Sequence, residues 1–102
     1  MISLSTSAVE VVKAAMSRAA RDAEGLRLVA GAGARDALQV MMHLDVARAD
    51  DMVIEQGGLK LFLDHRSRPF AEGLHIDFVT PRGEVRGAFV VAADASRRGR
   101  LG

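Results

Sequence analysis

Apolar side chains follow a helical spacing near the start of the chain and a strand-like spacing further on. Over residues 5–24 they recur at offsets of three and four, which places them on one face of an amphipathic helix. These side chains are Val9, Val12, Met16, Ala19 and Ala23. Ser7 with Glu10 three residues later fits a capping box, and Ser5 is an alternative cap. Gly25 then predicts the end of the helix, because glycine readily takes the left-handed conformation found there.

The rest of the chain is predicted to consist mainly of short strands. Apolar and polar residues alternate most regularly from Leu38 to Asp45, as expected for a half-buried strand. Further strands are predicted over 26–30, 52–55, 59–63, 76–79 and 88–91, and a short helix over 66–71. The triplet Gln56-Gly57-Gly58 is typical of a hairpin turn. The pattern therefore predicts an α+β domain dominated by a small sheet or sandwich.

The composition is that of one folded domain. The 102 residues are 49% hydrophobic and 26% charged, values typical of a globular chain rather than a disordered one. A domain of this size buries only about 60–70% of its unfolded surface, so the core is thin and leaves little room for a deep catalytic pocket. We therefore expect the chain to gain buried surface as a homo-oligomer.

Charge and residue usage argue against several kinds of partner. The 14 basic and 13 acidic residues nearly cancel, so there is no global attraction to nucleic acid or to a membrane. Four Phe with no Trp or Tyr give few surfaces on which bases stack. The absence of cysteine excludes disulfides and thiolate-bound metal. No apolar run approaches the ~18–20 residues of a membrane span, and no signal peptide is visible, so the cytoplasm is the expected location.

Several segments follow one another in an order that runs along almost the whole chain. They are Ile2-Ser3-Leu4-Ser5, Gly25-Leu26-Arg27-Leu28, Asp50-Asp51-Met52-Val53-Ile54-Glu55, Gly58-Leu59-Lys60-Leu61-Phe62-Leu63-Asp64, Ser67, 70–73 and Ile76-Asp77-Phe78-Val79. Together they resemble the HesB-like, or A-type, iron–sulfur carrier family (IscA-like proteins). The resemblance implies a HesB-like fold, a mainly β, mixed-sheet sandwich with one N-terminal helix and a short second helix. We assign this domain to residues 1–95 and a flexible basic tail to 96–102.

The departures from that family fall on its functional residues. The resemblance places the family's loop cysteine on Arg35 and its Cys-Gly-Cys tail on about Gly99-Arg100-Leu101. An Asn-Pro that precedes the tail in the family is replaced by Ala92-Ala93. Arginine is a permanent cation that cannot ligate iron, and clusters need thiolate or, less often, imidazole ligands. We therefore predict no cofactor and no metal ligand, and the family's cluster-carrying activity is not transferred.

A cysteine-free branch of the family, associated with sulfur-oxidation gene clusters, is similar to this chain in 26–31 and in Asp50-Asp51. That branch implies a non-enzymatic protein-interaction or regulatory module linked to iron–sulfur or sulfur metabolism. Loop and tail converge in the family, so the resemblance implies a positive patch at the former cluster site. The predicted partner-binding residues are Arg35, Asp36, Arg97, Arg98 and Arg100, and an acidic protein surface is their natural complement.

Three other constellations offer alternative functions, each with a simpler structural interpretation. His43 with Asp45, and His75 with Asp77, share strand faces; they suit a metal site of imidazole and carboxylate, or ordinary solvent-facing positions. The Gly-rich loop 31–36 suits an anion or a flexible connection. The tail arginines suit weak, salt-sensitive nucleic-acid binding or solubility. For catalysis the sequence offers nothing, because no serine has a recognisable base placed beside it.

Overall fold

A computed structural model describes residues 2–19, 22–83 and 86–93. In chain order the elements are β1 (Ser3–Leu4), α1 (Thr6–Arg18), β2 (Gly25–Ala32), a short 3₁₀ turn (Ala34–Asp36), β3 (Leu38–Asp45), β4 (Met52–Gln56), β5 (Leu59–Leu63), α2 (Arg68–Ala71), β6 (Leu74–Val79) and β7 (Ala88–Ala93). The predicted tail lies outside the described residues, so the domain boundary at residue 95 stays a prediction. Among the described helices, none is long and apolar enough to cross a membrane.

The strands form two mixed sheets. The larger has the order β3-β2-β5-β4, in which β2 and β5 are parallel and the two outer pairs are antiparallel. The smaller has the order β1-β6-β7, in which β1 runs parallel to β6 and β7 runs antiparallel to it. With one main helix and a short second helix, this is the α+β, mainly β sandwich that the resemblance implies. The prediction of the fold is therefore confirmed.

The core forms where the inward faces of the two sheets meet one face of α1. Alternate residues of each strand point inward, as the two-residue period of a strand requires. The buried apolar side chains include Leu26, Leu28 and Ala30 from β2, Leu59, Leu61 and Leu63 from β5, Leu74 and Ile76 from β6, and Val9 and Val12 from α1. The predicted apolar face of the helix is confirmed as far as Met16, which packs partly buried against the same core.

The start of α1 is fixed by Ser5. Its Oγ accepts a hydrogen bond of 3.1 Å from the N–H of Ala8, so Ser5 rather than Ser7 is the cap. The same hydroxyl donates to a carboxylate oxygen of Asp77 on β6, at 2.6 Å. One side chain therefore both begins the helix and joins it to the smaller sheet.

The end of α1 differs from the prediction. The helix stops at Arg18, because Ala19 already has an extended backbone with ψ of 138°. Gly25, predicted as the helix stop, instead opens β2. A Cβ at this position would collide with the carbonyl oxygen of Lys60 on the neighbouring strand. Glycine is therefore required there by the close approach of two strands rather than by a helix end.

The predicted hairpin between β4 and β5 is confirmed, with a tighter turn than expected. Gly57 and Gly58 have φ of +58° and +80°, the left-handed pair that a two-residue hairpin turn demands. Gln56 belongs to β4, and its side chain reaches the N-terminal segment. It accepts from the N–H of Leu4 at 2.7 Å and donates to the carbonyl of Ile2 at 2.8 Å. This amide therefore links the larger sheet to the chain entering β1.

The assigned core predicts which leucines stabilise the fold. Leu61 is fully buried, whereas Val53 on the neighbouring strand is 49% exposed. Leu61→Ala leaves a cavity, so we expect it to lower the free energy of unfolding by about 2–5 kcal/mol. Val53→Ala is the matched control, with an expected change below about 1 kcal/mol. Urea unfolding followed by circular dichroism measures both, and equal losses would contradict this assignment of the core.

Candidate functional site

The predicted partner-binding residues Arg35 and Asp36 lie at the tip of the hairpin that joins β2 to β3. The hairpin closes with a hydrogen bond of 2.6 Å from the N–H of Gly33 to the carbonyl of Ala37. Beyond it, the N–H groups of Asp36 and Ala37 donate to the carbonyls of Gly33 and Ala34, at 3.1 and 3.2 Å. The segment interpreted as a flexible connection is therefore a hydrogen-bonded turn.

Both residues of this hairpin tip have a left-handed backbone. The φ angle is +58° at Arg35 and +59° at Asp36, a conformation that costs a residue with a side chain roughly 1–2 kcal/mol. Both side chains are exposed, so no core packing offsets this strain. Strained residues of this kind concentrate at functional sites, and the hairpin tip is therefore the leading candidate for partner contact.

The other three predicted partner-binding residues, Arg97, Arg98 and Arg100, lie outside the described residues. Their convergence with Arg35 into one positive patch stays a prediction. Within the described part of the chain, the hairpin tip presents one cation beside one anion, because Asp36 directly follows Arg35.

A buried ionic cluster centred on Arg27, near the start of β2, was not predicted from the sequence. Its guanidinium is 2% exposed and forms a two-point ion pair with Asp51, at 2.8 and 2.6 Å. Its Nε donates to Asp45 at 2.6 Å, and another N–H donates to the carbonyl of Val46 at 3.1 Å. The guanidinium carbon also lies 5.7 Å from the centre of the Phe62 ring. This ion cluster (Arg27, Asp45, Asp51) fastens the connection between β3 and β4 to the larger sheet.

The charges of the ion cluster support one another. The hydrogen bond from Arg27 lowers the pKa of Asp45 from 3.8 to about 2, and the hydrogen bond from the same guanidinium lowers the pKa of Asp51. The hydrogen bond to Asp51 in turn raises the pKa of Arg27 above its usual range. A signal in the sequence pointed here: an arginine between buried leucines needs a charge partner, and Asp50-Asp51 offered one.

The first predicted histidine–aspartate pair shares a strand face, but its carboxylate is already engaged. His43 Nε2 lies 3.5 Å from Asp45 Oδ2. The same oxygen receives Arg27 at 2.6 Å and Arg48 at 3.3 Å. The other oxygen, Oδ1, accepts the N–H of Val46 at 2.8 Å. A metal ion would have to displace these bonds, so the pair offers no ready carboxylate ligand.

In the second histidine–aspartate pair, His75 and Asp77, each residue contacts a different serine. His75 Nδ1 lies 2.8 Å from Ser3 Oγ, so the expectation that no serine has a base beside it is wrong for Ser3. The parallel register of β1 and β6, which sequence patterns do not reveal, creates this contact. Asp77 Oδ1 accepts instead from the hydroxyl of Ser5 and the N–H of Phe78, so a Ser–His–Asp relay is not assembled. Within the described ranges, no group of three or more potential ligands is placed to hold a metal ion.

Two solved structures with this fold are of proteins whose descriptions mention iron–sulfur clusters. SufA of Escherichia coli, described as involved in the biosynthesis of iron–sulfur clusters, matches with a TM-score of 0.77 and 20% sequence identity, over 90% of this chain and 79% of that one. IscA with a [2Fe-2S] cluster matches with a TM-score of 0.71 and 18% identity, over 91% and 85% of the two chains. The architecture is therefore that of the A-type carriers.

Sequence relatives include several uncharacterized proteins and one HesB protein. An uncharacterized protein of Bradyrhizobium diazoefficiens is 42% identical over 80 residues, 78% of this chain and 76% of that protein. An uncharacterized protein in the nifU 5′ region of Cereibacter sphaeroides is 36% identical over 81 residues, with the same two shares. The vegetative HesB protein of Trichormus variabilis is 36% identical over 56 residues, 54% of this chain and 46% of that protein. No protein-family model matches. The chain therefore shares its fold with SufA and IscA and is similar in sequence to HesB over about half of its length.

The lowered pKa of Asp45 predicts a loss of stability in acid. Its value is about 2 in the folded state against 3.8 as the ordinary value. The carboxylate therefore adds stability that is present above pH ~4 and disappears as the pH falls towards 2, where the folded protein must also take up the proton. Urea unfolding between these pH values measures how steeply the free energy of unfolding changes with pH. Asp45→Asn should flatten this dependence, and an unchanged slope in that variant would contradict the role of this carboxylate.

The strain at the hairpin tip predicts that glycine stabilises the fold there. Glycine takes a φ of +58° without a Cβ penalty, so we expect Arg35→Gly to raise the free energy of unfolding by about 0.5–1 kcal/mol. Arg66→Gly is the matched control, because Arg66 is also exposed but has no positive φ. This control should leave stability unchanged or lower it slightly. Urea unfolding compares the three proteins, and a destabilised Arg35→Gly would argue against a strained tip.

Proposed function

We propose that this chain is a cysteine-free member of the HesB/IscA-like family that acts as a non-enzymatic protein-interaction or regulatory module in iron–sulfur or sulfur metabolism. The observation that carries the proposal is the replacement of sulfur by charge. The whole sequence contains no cysteine, and Arg35 occupies the hairpin in which the resemblance puts a ligand. A guanidinium has no lone pair to give to iron, so the same scaffold must act through its surface.

The hairpin tip is the part of the surface that we propose contacts the partner. Arg35 and Asp36 are exposed and retain a left-handed backbone that glycine would adopt at lower cost. A strained, exposed pair contributes nothing to the core, so binding is the physical reason that we assign to it. An acidic partner surface would pair with Arg35, with the tail arginines 97, 98 and 100 adding to the attraction if they lie beside it.

The proposed pathway is based on the gene regions in which several sequence relatives lie. Three of them carry names that place them in the nifU 5′ region, from Cereibacter sphaeroides, Rhodobacter capsulatus and Azotobacter vinelandii. These names favour a gene that lies beside nifU. The cysteine-free branch linked to sulfur oxidation remains the alternative that the sequence resemblance suggests. The neighbouring genes of this chain distinguish the two.

A reconstitution experiment tests the loss of cluster carrying. Purified chain is incubated with ferrous iron and sulfide, desalted, and examined for visible absorbance and bound iron. Because thiolates are absent, we expect a colourless protein without stoichiometric iron. IscA, whose solved structure holds a [2Fe-2S] cluster, is the positive control. A brown, iron-loaded sample of this chain would overturn the proposal.

Reversal of one charge tests the role of the hairpin tip. Arg35→Glu keeps a long, charged side chain but repels an acidic partner, so we expect it to reduce capture of the partner at least about tenfold. Lys60→Glu is the matched control, because Lys60 is exposed on β5 beside Gly25, at the opposite end of β2 from the tip. Affinity purification followed by quantitative mass spectrometry measures how much partner each variant captures. Equal capture by the native chain and by Arg35→Glu would contradict a role of the hairpin tip in partner contact.

A further inference from the structure

Ser3 and His75 form a hydrogen-bonded pair that the proposed function does not use. Ser3 Oγ lies 2.8 Å from His75 Nδ1, a separation at which an imidazole can take the proton of a hydroxyl. The parallel register of β1 and β6 sets the two residues directly beside each other. Ser3 is partly buried and His75 is exposed, so a small molecule can reach the pair. A serine becomes a nucleophile when a base is placed beside it in this way.

The carboxylate of Asp77 lies on the same face of β6, two residues beyond His75. The pKa of Asp77 is lowered chiefly by the hydrogen bond from Ser5, and attraction to His75 adds to that effect. The same attraction favours the protonated ring that forms when His75 takes the proton of Ser3. Asp77 therefore assists the base through space, although its hydrogen bonds come from Ser5 and Phe78.

The surface beside the pair is apolar and open. Ala92 on β7 lies opposite His75, and Val90 lies opposite Asp77. Residues opposite each other in a ladder lie on the same face of the sheet, so both side chains border the pair. Val90 is 48% exposed, and the small, exposed Ala92 leaves the ring accessible. An apolar group brought to Ser3 would be in contact with these side chains, whereas the carboxylate of Asp77 would repel an anionic group.

We propose that Ser3 is a modification site that accepts an apolar acyl group from an activated carboxylic ester. Ser3 Oγ attacks the acyl carbon, and His75 Nδ1 takes the hydroxyl proton. The bond between the acyl carbon and the leaving oxygen then breaks, and its electron pair stays with that oxygen, which receives the proton from the imidazole. The products are an ester on Ser3 and a free alcohol. This site does not involve Arg35 and does not depend on the proposed function.

The pair supplies a base, but the neighbouring backbone does not stabilise an oxyanion. The N–H groups of Leu4 and Ser5 donate to the side chain of Gln56 and to the carbonyl of Ile76, so neither is available to the acyl oxygen. One oxyanion donor typically contributes about 10²–10³ in rate, and its absence slows both the attack on the acyl carbon and the later attack of water on the ester. Ser3 should therefore react slowly and keep the acyl group, as expected of a modification site rather than of an esterase.

Acylation of the native full chain by p-nitrophenyl butyrate tests the site. Peptide mass spectrometry measures the rate at which each serine gains the butyryl group. We expect Ser3 to be acylated at least about tenfold faster than Ser17, since a positioned general base typically contributes about 10²–10⁴ in rate. Ser17 is the internal control, because it is exposed on α1 and its hydroxyl donates to the carbonyl of Lys13 instead of to a base. Equal rates at the two serines would overturn the proposal.

A substitution of His75 separates the base from the hydrogen bond. His75→Gln keeps a side chain that can accept a hydrogen bond but has no basic nitrogen, so we expect acylation of Ser3 to fall at least about tenfold. His65→Gln is the matched control, because His65 is also exposed but lies in the connection between β5 and α2, and it should leave the rate unchanged. Circular dichroism checks that both variants fold. The same rate of Ser3 acylation in the native chain and in His75→Gln would contradict a base at this position.

Discussion

The outer face of the larger sheet depends on one buried cation and the two acids that hold it. Arg27 lies near the start of β2, and its partners Asp45 and Asp51 lie at the two ends of the connection between β3 and β4. Removal of Asp51 would break the two-point pair with the buried guanidinium, and breaking a buried ion pair typically costs about 3–5 kcal/mol. The cluster therefore fixes where β3 ends and where β4 begins. The hairpin tip, at which we propose contact with a partner, lies at the start of that same strand.

The hydrophobic periodicity predicted most of the helices and strands. It did not show which residues of different elements contact one another. The alternation from Leu38 to Asp45 predicted β3 correctly, because a strand with one apolar face must repeat every second residue. The ion cluster was missed because Arg27 lies in an apolar run whose polar partners are distant in sequence. The contact between Ser3 and His75 depends on pairing between strands 72 residues apart, and local patterns carry no information on it. The prediction that Gly25 ends the helix was wrong. A glycine required by the close approach of two strands cannot be told, from the sequence, from a glycine that ends a helix.

Fold and ligand chemistry separate cleanly in this protein. The backbone matches SufA and IscA at only 20% and 18% identity, which shows that the sandwich is encoded by its apolar pattern and its turns. Cluster binding needs a few sulfur atoms, and these can be absent without any cost to that pattern. At the hairpin tip that we propose for partner contact, the chain presents a left-handed Arg35-Asp36 pair within a hydrogen-bonded turn. A preformed turn would lower the entropy that a partner must overcome on binding.

The hydroxyl of Ser5 has a consequence for which substitutions α1 can accept. It accepts a hydrogen bond from the N–H of Ala8 in the first turn of the helix and at the same time donates one to Asp77, so it acts as both acceptor and donor. Aspartate, elsewhere as good a helix cap as serine, has no proton to give at neutral pH and would set two negative charges against each other. Threonine preserves both bonds. The entrance to the helix is therefore selective for an alcohol, and a phosphoryl group added to this oxygen would detach the helix from the sheet beneath it.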